Sequence, residues 1–156
     1  MGPENGKRSG RMPGAVLFMC GMNAIRSPIA EAMARHALPK SVYVASAGVR
    51  RGERDPFVDV VLDEIGLSLG RHQPHNLDDL EDDYFDLIIT LAPEAHHKAL
   101  ELTRSWPVDV EYWPTPDPTV ATGTREQILD AYRGVRDHIS KLIGSRLVTR
   151  TAADSG

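Results

Sequence analysis

Ala15-Val16-Leu17-Phe18-Met19-Cys20-Gly21-Met22-Asn23-Ala24-Ile25-Arg26-Ser27-Pro28 is the stretch on which the fold of this chain turns. Its first five residues form a short apolar run with the length and the β-branched and aromatic content of a buried parallel strand. Cys20 therefore falls at a strand's C-terminal end. The end of the stretch reads as a helix start: Ser27 suits an N-cap, Pro28 is acceptable at N1, and Ile29, Met33 and Ala37 recur along one face. A strand, a tight loop and a helix N-terminus in that order bring backbone N–H groups and the helix dipole to one point and favour negative charge there. Arg26, at the far end of the loop, supplies a planar fork of donors that grips two oxygens of a tetrahedral anion. Taken singly, Cys20 is a small buried hydrophobe, Arg26 a solvated cation and Ser27 a cap. Their joint spacing between a strand and a helix points instead to an oxyanion loop, with Gly21, Met22, Asn23, Ala24, Ile25, Arg26 and Ser27 around the anion.

Outward from this loop, apolar strand-like runs alternate with helical patterns. The runs predict strands over 15–19, 42–47, 87–91 and 108–112, and helices over 28–38, 56–65, 93–103 and 125–143. In the last helix Ile128, Tyr132, Val135, Ile139 and Leu142 recur at steps of four and three, and Thr124 with Gln127 forms a capping box. Such alternation predicts an α/β fold, a three-layer, doubly wound, four-stranded parallel sheet with helices on both faces. The ligand crevice of such a sheet lies beyond the C-terminal ends of its strands, where Cys20, Ser46 and the segment after Tyr112 all fall. The chain of 156 residues suits one domain, expected over 14–148, between a disordered leader (1–13) and a disordered tail (149–156), both rich in small and polar residues.

Composition removes several function classes. One cysteine excludes an intrachain disulfide and suits a reducing, cytoplasmic setting. A net charge of −4 argues against a general nucleic-acid binder, and no apolar run reaches membrane-spanning length. His72, His75, His96 and His97 match no zinc spacing, so no metal is expected. Asp78, Asp79, Glu81, Asp82 and Asp83 read as a solvated acidic turn, and there is no Walker-type loop.

The chain resembles the low-molecular-weight protein tyrosine phosphatase family, which includes a branch of arsenate reductases. The resemblance runs over about 15–147 and is carried by four segments in the family's order: the Cys20 to Pro28 loop, Ser46-Ala47-Gly48, Gly66-Leu67-Ser68-Leu69-Gly70-Arg71-His72 leading to Leu77, and Asp117-Pro118. It implies a phosphomonoester hydrolase working through a cysteinyl-phosphate, with Cys20 as nucleophile, Arg26 and the loop amides on the equatorial oxygens, and no cofactor. Asp117 stands in a proline-stiffened loop, Trp113-Pro114-Thr115-Pro116-Asp117-Pro118, where it would otherwise be an ordinary turn residue. The resemblance makes it the acid that protonates the leaving group and then activates water. A bound dianion would raise its pKa into a useful range. The resemblance also implies a hydrogen-bond network of Asn23, Ser27, Ser46 and His72, in which the Ser27 hydroxyl donates to the Cys20 sulfur.

Departures from the family pattern bear on substrate. The stretches Val49-Arg50-Arg51-Gly52-Glu53-Arg54 and Thr119-Val120-Ala121-Thr122 lack the aromatic residues that wall a phenyl slot, so a phosphotyrosine preference does not carry over. Arg50, Arg51 and Arg54 read as a solvated basic loop or a draw for an acidic substrate. Gly21-Met22 replaces a larger residue followed by glycine, and Ile25 replaces a second cysteine. Thr90-Leu91-Ala92-Pro93 lacks the family's acidic residue. Three functions stay open. The first is a phosphatase acting on a phosphorylated protein or a small phosphomonoester; the second is an arsenate reductase served by a small external thiol. The third is a weakly catalytic oxyanion-binding regulator. A reductase with an internal cysteine relay is excluded by the single cysteine.

Overall fold

Successive residues of β1 (Ala15–Cys20) point to opposite faces of the sheet, as the period of a strand requires. Val16, Phe18 and Cys20 enter one core and Leu17 and Met19 a second one. This two-sided burial is why the run is continuously apolar. The computed structural model describes residues 11–80 and 84–150. In it β1 lies between β2 (Tyr43–Gly48) and β3 (Leu87–Thr90), with β4 (Asp109–Tyr112) beyond β3. The order is β2-β1-β3-β4 and every pair is parallel, the sheet architecture expected from the alternation of patterns.

The two faces are covered unequally. α1 (Arg26–Ala37), α2 (Pro56–Asp63) and α4 (Arg125–Ile143) give Ile29, Met33, Val61, Leu62, Leu129, Val135 and Ile139 to the larger core. α3 (Pro93–Leu102) covers the other face through Ala95 and Ala99, helped by Leu77, Leu80, Phe85 and Trp106. Small residues on α3 let it sit close to the sheet, while the branched residues of α1, α2 and α4 fill a thicker layer. Trp113, just past β4, is 1% exposed and meets Phe18 edge-on at 6.1 Å, joining the last strand to the central one.

The caps explain where the helices begin. Thr124 and Gln127 form the expected capping box, with Gln127 N–H donating to Thr124 Oγ1 at 3.2 Å and Thr124 N–H to Gln127 Oε1 at 2.8 Å. Asp55 caps α2 by accepting from Phe57 N–H at 2.9 Å. α1 departs from expectation: it starts at Arg26, its N-cap is Ile25, and no side chain caps it. Ser27 is therefore not a cap but a first-turn residue, and its hydroxyl is used elsewhere.

The ends of the chain also differ from expectation. Thr149 and Arg150, assigned to the tail, are helical, and Arg150 is 7% exposed and ion-paired with Glu111 of β4. Met12, assigned to the leader, packs against the larger core. An apolar Met and a buried Arg with a partly buried carboxylate partner each outweighed the small-residue composition around them. The rest of the leader and tail, and Glu81, Asp82 and Asp83 of the acidic run, lie outside the described residues. Asp78 and Asp79 form an exposed single turn capped by Asn76. Phe18→Ala should lower unfolding free energy by about 3–5 kcal/mol in urea titration, through the lost side chain and the cavity left beneath Trp113.

Candidate active site

Cys20 ends β1 opposite Gly48 of β2, and the chain then curls over the sheet edge before entering α1. The curl is held by its carbonyls. Val49 N–H donates to Cys20 O at 3.2 Å, Arg50 N–H to Gly21 O at 2.9 Å and Gly52 N–H to Met22 O at 2.8 Å. A trans peptide points its N–H opposite to its C=O, so tying these carbonyls outward turns the amides of Gly21, Met22 and Asn23 inward. Gly48 is what lets the loop lie so near: a Cβ there would come within 2.7 Å of main-chain atoms of Met22 and Asn23. Only glycine fits that approach.

Asn23 makes the bend. It takes a φ of +56°, a left-handed conformation that asparagine tolerates better than most side chains. It is fully buried, and all its polar atoms are used. Its Oδ1 accepts from His75 N–H at 3.0 Å, which fixes the orientation of the amide. Its Nδ2 then donates to Ser27 Oγ and to Ser46 Oγ, each at 2.9 Å. Ser46 Oγ–H in turn donates a hydrogen bond to Glu31 Oε1 at 2.5 Å. Ser27 Oγ accepts from Asn23 and keeps its own proton, which it can donate to a Cys20 thiolate, with Sγ 3.0 Å away. The chain thus has one direction. A carboxylate on α1 orients Ser46, while Asn23 turns the Ser27 hydroxyl toward the sulfur.

Glu31 was not among the residues expected at the site. The one available signal is that it interrupts an otherwise uncharged run, Pro28-Ile29-Ala30 and Ala32-Met33. It is 8% exposed and also pairs with Arg35 at 2.9 Å. His72 stands on its far side, with Nδ1 3.9 Å from Glu31 Oε1, beyond hydrogen-bond reach, and its ring 5.6 Å from that of His75. Burial pushes the His72 imidazole below its ordinary range, outweighing the pull of Glu31 and the Asn23 main chain toward the charged form. Of the four bracing residues expected, Asn23, Ser27 and Ser46 thus share one chain of bonds and His72 packs against its end.

Arg26 and Asp117 arrive from different directions. The segment after β4 runs back across the end of β3, with Trp113 N–H on Thr90 O at 2.8 Å and Thr115 N–H on Leu91 O at 3.1 Å. Arg26 Nη1 donates to Thr115 O at 3.0 Å, so the arginine of the loop is braced by the segment that carries Asp117. Asp117 then faces a cavity of about 170 Å³ lined by Cys20, Gly21, Met22, Ala24, Ile25, Arg26, Arg50, Glu94 and Thr119. Arg50, Glu94 and Thr119 were absent from the expected site. Of the basic loop residues, Arg54 is a scaffold residue, bound to Asp59 at 2.7 Å and to the carbonyls of Gly70 and His72 at 3.0 Å. Arg50 is paired with Glu94 at 2.6 Å.

Burial would raise the Asp117 carboxyl, but the Thr119 hydroxyl at 2.6 Å, the Thr119 amide at 2.9 Å and the charge of Arg26 prevail and hold it below the usual carboxylate range. The upward shift expected beside a dianion therefore has to work against this pull. A depressed carboxylate contributes stability above its unfolded pKa, and that contribution fades as pH falls through the folded value. Thr119→Val should raise the Asp117 titration followed by carbon NMR and shrink the acid-side loss of stability; an unmoved titration would refute the role given to Thr119.

Among the described residues, no cluster of His, Cys, Asp and Glu could hold a metal and no helix is long and apolar enough to cross a membrane. Residues 15–151 match the family model described as low molecular weight phosphotyrosine protein phosphatase. An arsenate reductase of Bacillus subtilis (strain 168) is 30% identical over 132 residues, covering 85% of this chain and 91% of the relative. Among solved structures, the tyrosine phosphatase amsI of Erwinia amylovora superposes with a TM-score of 0.70 at 23% identity, over 88% of this chain and 92% of that one. A structure of an arsenate reductase in the phosphate binding state gives 0.67 at 21% identity, over 85% and 95%. With the family model spanning the sheet, the loop and the acid-bearing segment alike, the chain belongs to the low molecular weight phosphotyrosine protein phosphatase family.

Proposed function

We propose that the chain is a cysteine-dependent phosphomonoester hydrolase. The observation that supports this best is the meeting of Cys20, Arg26 and Asp117 in one small cavity, from a strand end, a helix start and a distant loop. The Cys20 thiolate attacks phosphorus in line, the inward amides and Arg26 hold the equatorial oxygens, and the P–O bond to the leaving group breaks as Asp117 gives that oxygen its proton. Asp117, now a carboxylate, takes a proton from the water that attacks the cysteinyl-phosphate. The P–S bond breaks, and the Ser27 hydroxyl stabilises the thiolate that returns.

A second cleft, of about 640 Å³, adjoins the first and shares Met22, Ala24, Ile25 and Thr119 with it. Phe57 and Tyr132 line it with ring centroids 5.2 Å apart, and Arg125 stands 5.4 Å from the Phe57 ring. Burial and the bond from its hydroxyl to Asp55 Oδ2 at 2.6 Å keep Tyr132 protonated. The aromatic surface missing from the two flanking loops is thus supplied by α2 and α4. This cleft has room for an organic leaving group, whether the side chain of a phosphorylated protein or a small phosphomonoester.

Arsenate reduction is the second reading, favoured by the relatives that bear that name. Cys20 would bind arsenic in the same loop, and a small external thiol would supply the electrons, since the chain has no second cysteine. Aryl-phosphate hydrolysis measured beside thiol-dependent arsenite formation separates the two. Under the hydrolase reading Cys20→Ser abolishes aryl-phosphate turnover. Asp117→Asn slows it by about 10²- to 10⁴-fold, with the larger losses for poorer leaving groups. Turnover by Cys20→Ser at the wild-type rate would sink this mechanism.

A further inference from the structure

Arg50 and Glu94 meet across the mouth of the Cys20 cavity. The pairing is two-pronged, Nη1 to Oε2 at 2.6 Å and Nη2 to Oε1 at 2.9 Å, and both side chains line the cavity while remaining about half exposed, at 57% and 43%. Each is anchored to the loop. Arg50 N–H holds Gly21 O, and the Glu94 carboxylate lies directly on Gly21, where a Cβ would stand 2.6 Å from Oε1. A side chain at this position, where the family pattern has a larger residue, would displace the Glu94 carboxylate from where it now lies. A negative charge set beside a loop built for a dianion has a cost whenever the loop is occupied. Its partner, a guanidinium at the same mouth, is the charge that an arriving dianion attracts.

We propose that Arg50 is a second anion-binding arginine of this site, held in reserve by Glu94 and drawn onto the oxyanion when a dianion enters. The proposal rests on the hydrolase reading for the identity of the loop's ligand as a phosphate-type oxyanion. In the empty site the pair is neutral, so Glu94 keeps Arg50 ordered and turns away anions that carry too little charge to separate the pair. A dianion seated in the loop repels Glu94 and attracts Arg50 at the same moment. Exposed ion pairs of this kind are weak, and both side chains reach water, so Glu94 can retire into solvent without breaking anything in the core. The pair therefore reads the charge of the ligand, favouring doubly charged oxyanions over singly charged ones.

The test is calorimetric titration of inorganic phosphate at low salt and at a pH where it is a dianion, into wild type, Glu94→Gln, Arg50→Gln and the double variant. Steady-state turnover of an aryl phosphate is followed alongside. Glu94→Gln should tighten phosphate binding about fivefold, and Arg50→Gln should weaken it about fivefold because Glu94 is left unneutralised. The double variant should fall between them. In turnover the same changes should appear in KM with kcat nearly constant. Equal phosphate affinity in all four proteins, or weaker binding by Glu94→Gln, overturns the proposal, as does an absence of phosphate binding in both wild type and Glu94→Gln. Failure of the hydrolase reading looks different: phosphate affinities shift as stated, but no protein of the set turns over an ester.

Discussion

The buried amide of Asn23 is the constraint on which the site depends. It sits where the chain must turn left-handed to pass from β1 into α1, and its three hydrogen bonds reach the His75 main chain, Ser46 of β2 and Ser27 of α1. A buried polar atom left without a partner costs about 1–3 kcal/mol, so none of these bonds is easily given up. The bend faces the loop amides toward a ligand because their carbonyls are claimed by Val49, Arg50 and Gly52. The same bend points the Ser27 hydroxyl at the Cys20 sulfur. The inward loop amides and the serine beside the sulfur thus share one strained residue, and a parallel sheet buried on both faces keeps that residue in place.

A second constraint positions Asp117. β4 lies two strands away from Cys20, so Asp117 approaches only because the proline-rich segment after Trp113 crosses the end of β3 and is pinned by Thr90, Leu91 and Arg26. Prolines lower the entropy lost in holding such a loop. Arg26 acts at both ends of this arrangement, lining the Cys20 cavity and holding the segment that carries Asp117. Thr119, with the charge of Arg26, keeps the Asp117 carboxyl below its ordinary range against the opposing effect of burial.

The fold was largely legible because its signals are local and periodic. β1 reads as a strand from five consecutive apolar residues, and α4 declares itself by its repeat and its capping box, with bounds that match the expectation. Ser27 misled for a physical reason: serine before proline is a strong cap signal, yet this serine is needed by the sulfur, and the first turn of α1 goes without a side-chain cap. Arg150 and Met12 misled because a short polar segment looks disordered unless its one anchoring contact is known. Glu31 was illegible because a buried carboxylate and a solvated one have the same letter in the sequence.

Sequence by itself determined the alternation of strands and helices, the loop that joins Cys20 to Arg26, and the Asp117-Pro118 pair in its proline-rich segment, since each depends on neighbours along the chain or on a motif of fixed order. Tertiary structure decided what stands around them. Phe57 and Tyr132 become the aromatic lining of a cleft only when α2 packs on α4. Arg50 and Glu94 are 44 residues apart and meet only because β2 and β3 flank β1 in the sheet, bringing the segments beyond their C-terminal ends to the same edge. A lone cysteine and an arginine at the two ends of one short loop are read directly from the sequence; the ion pair that lines the same cavity joins residues that no spacing along the chain can bring together.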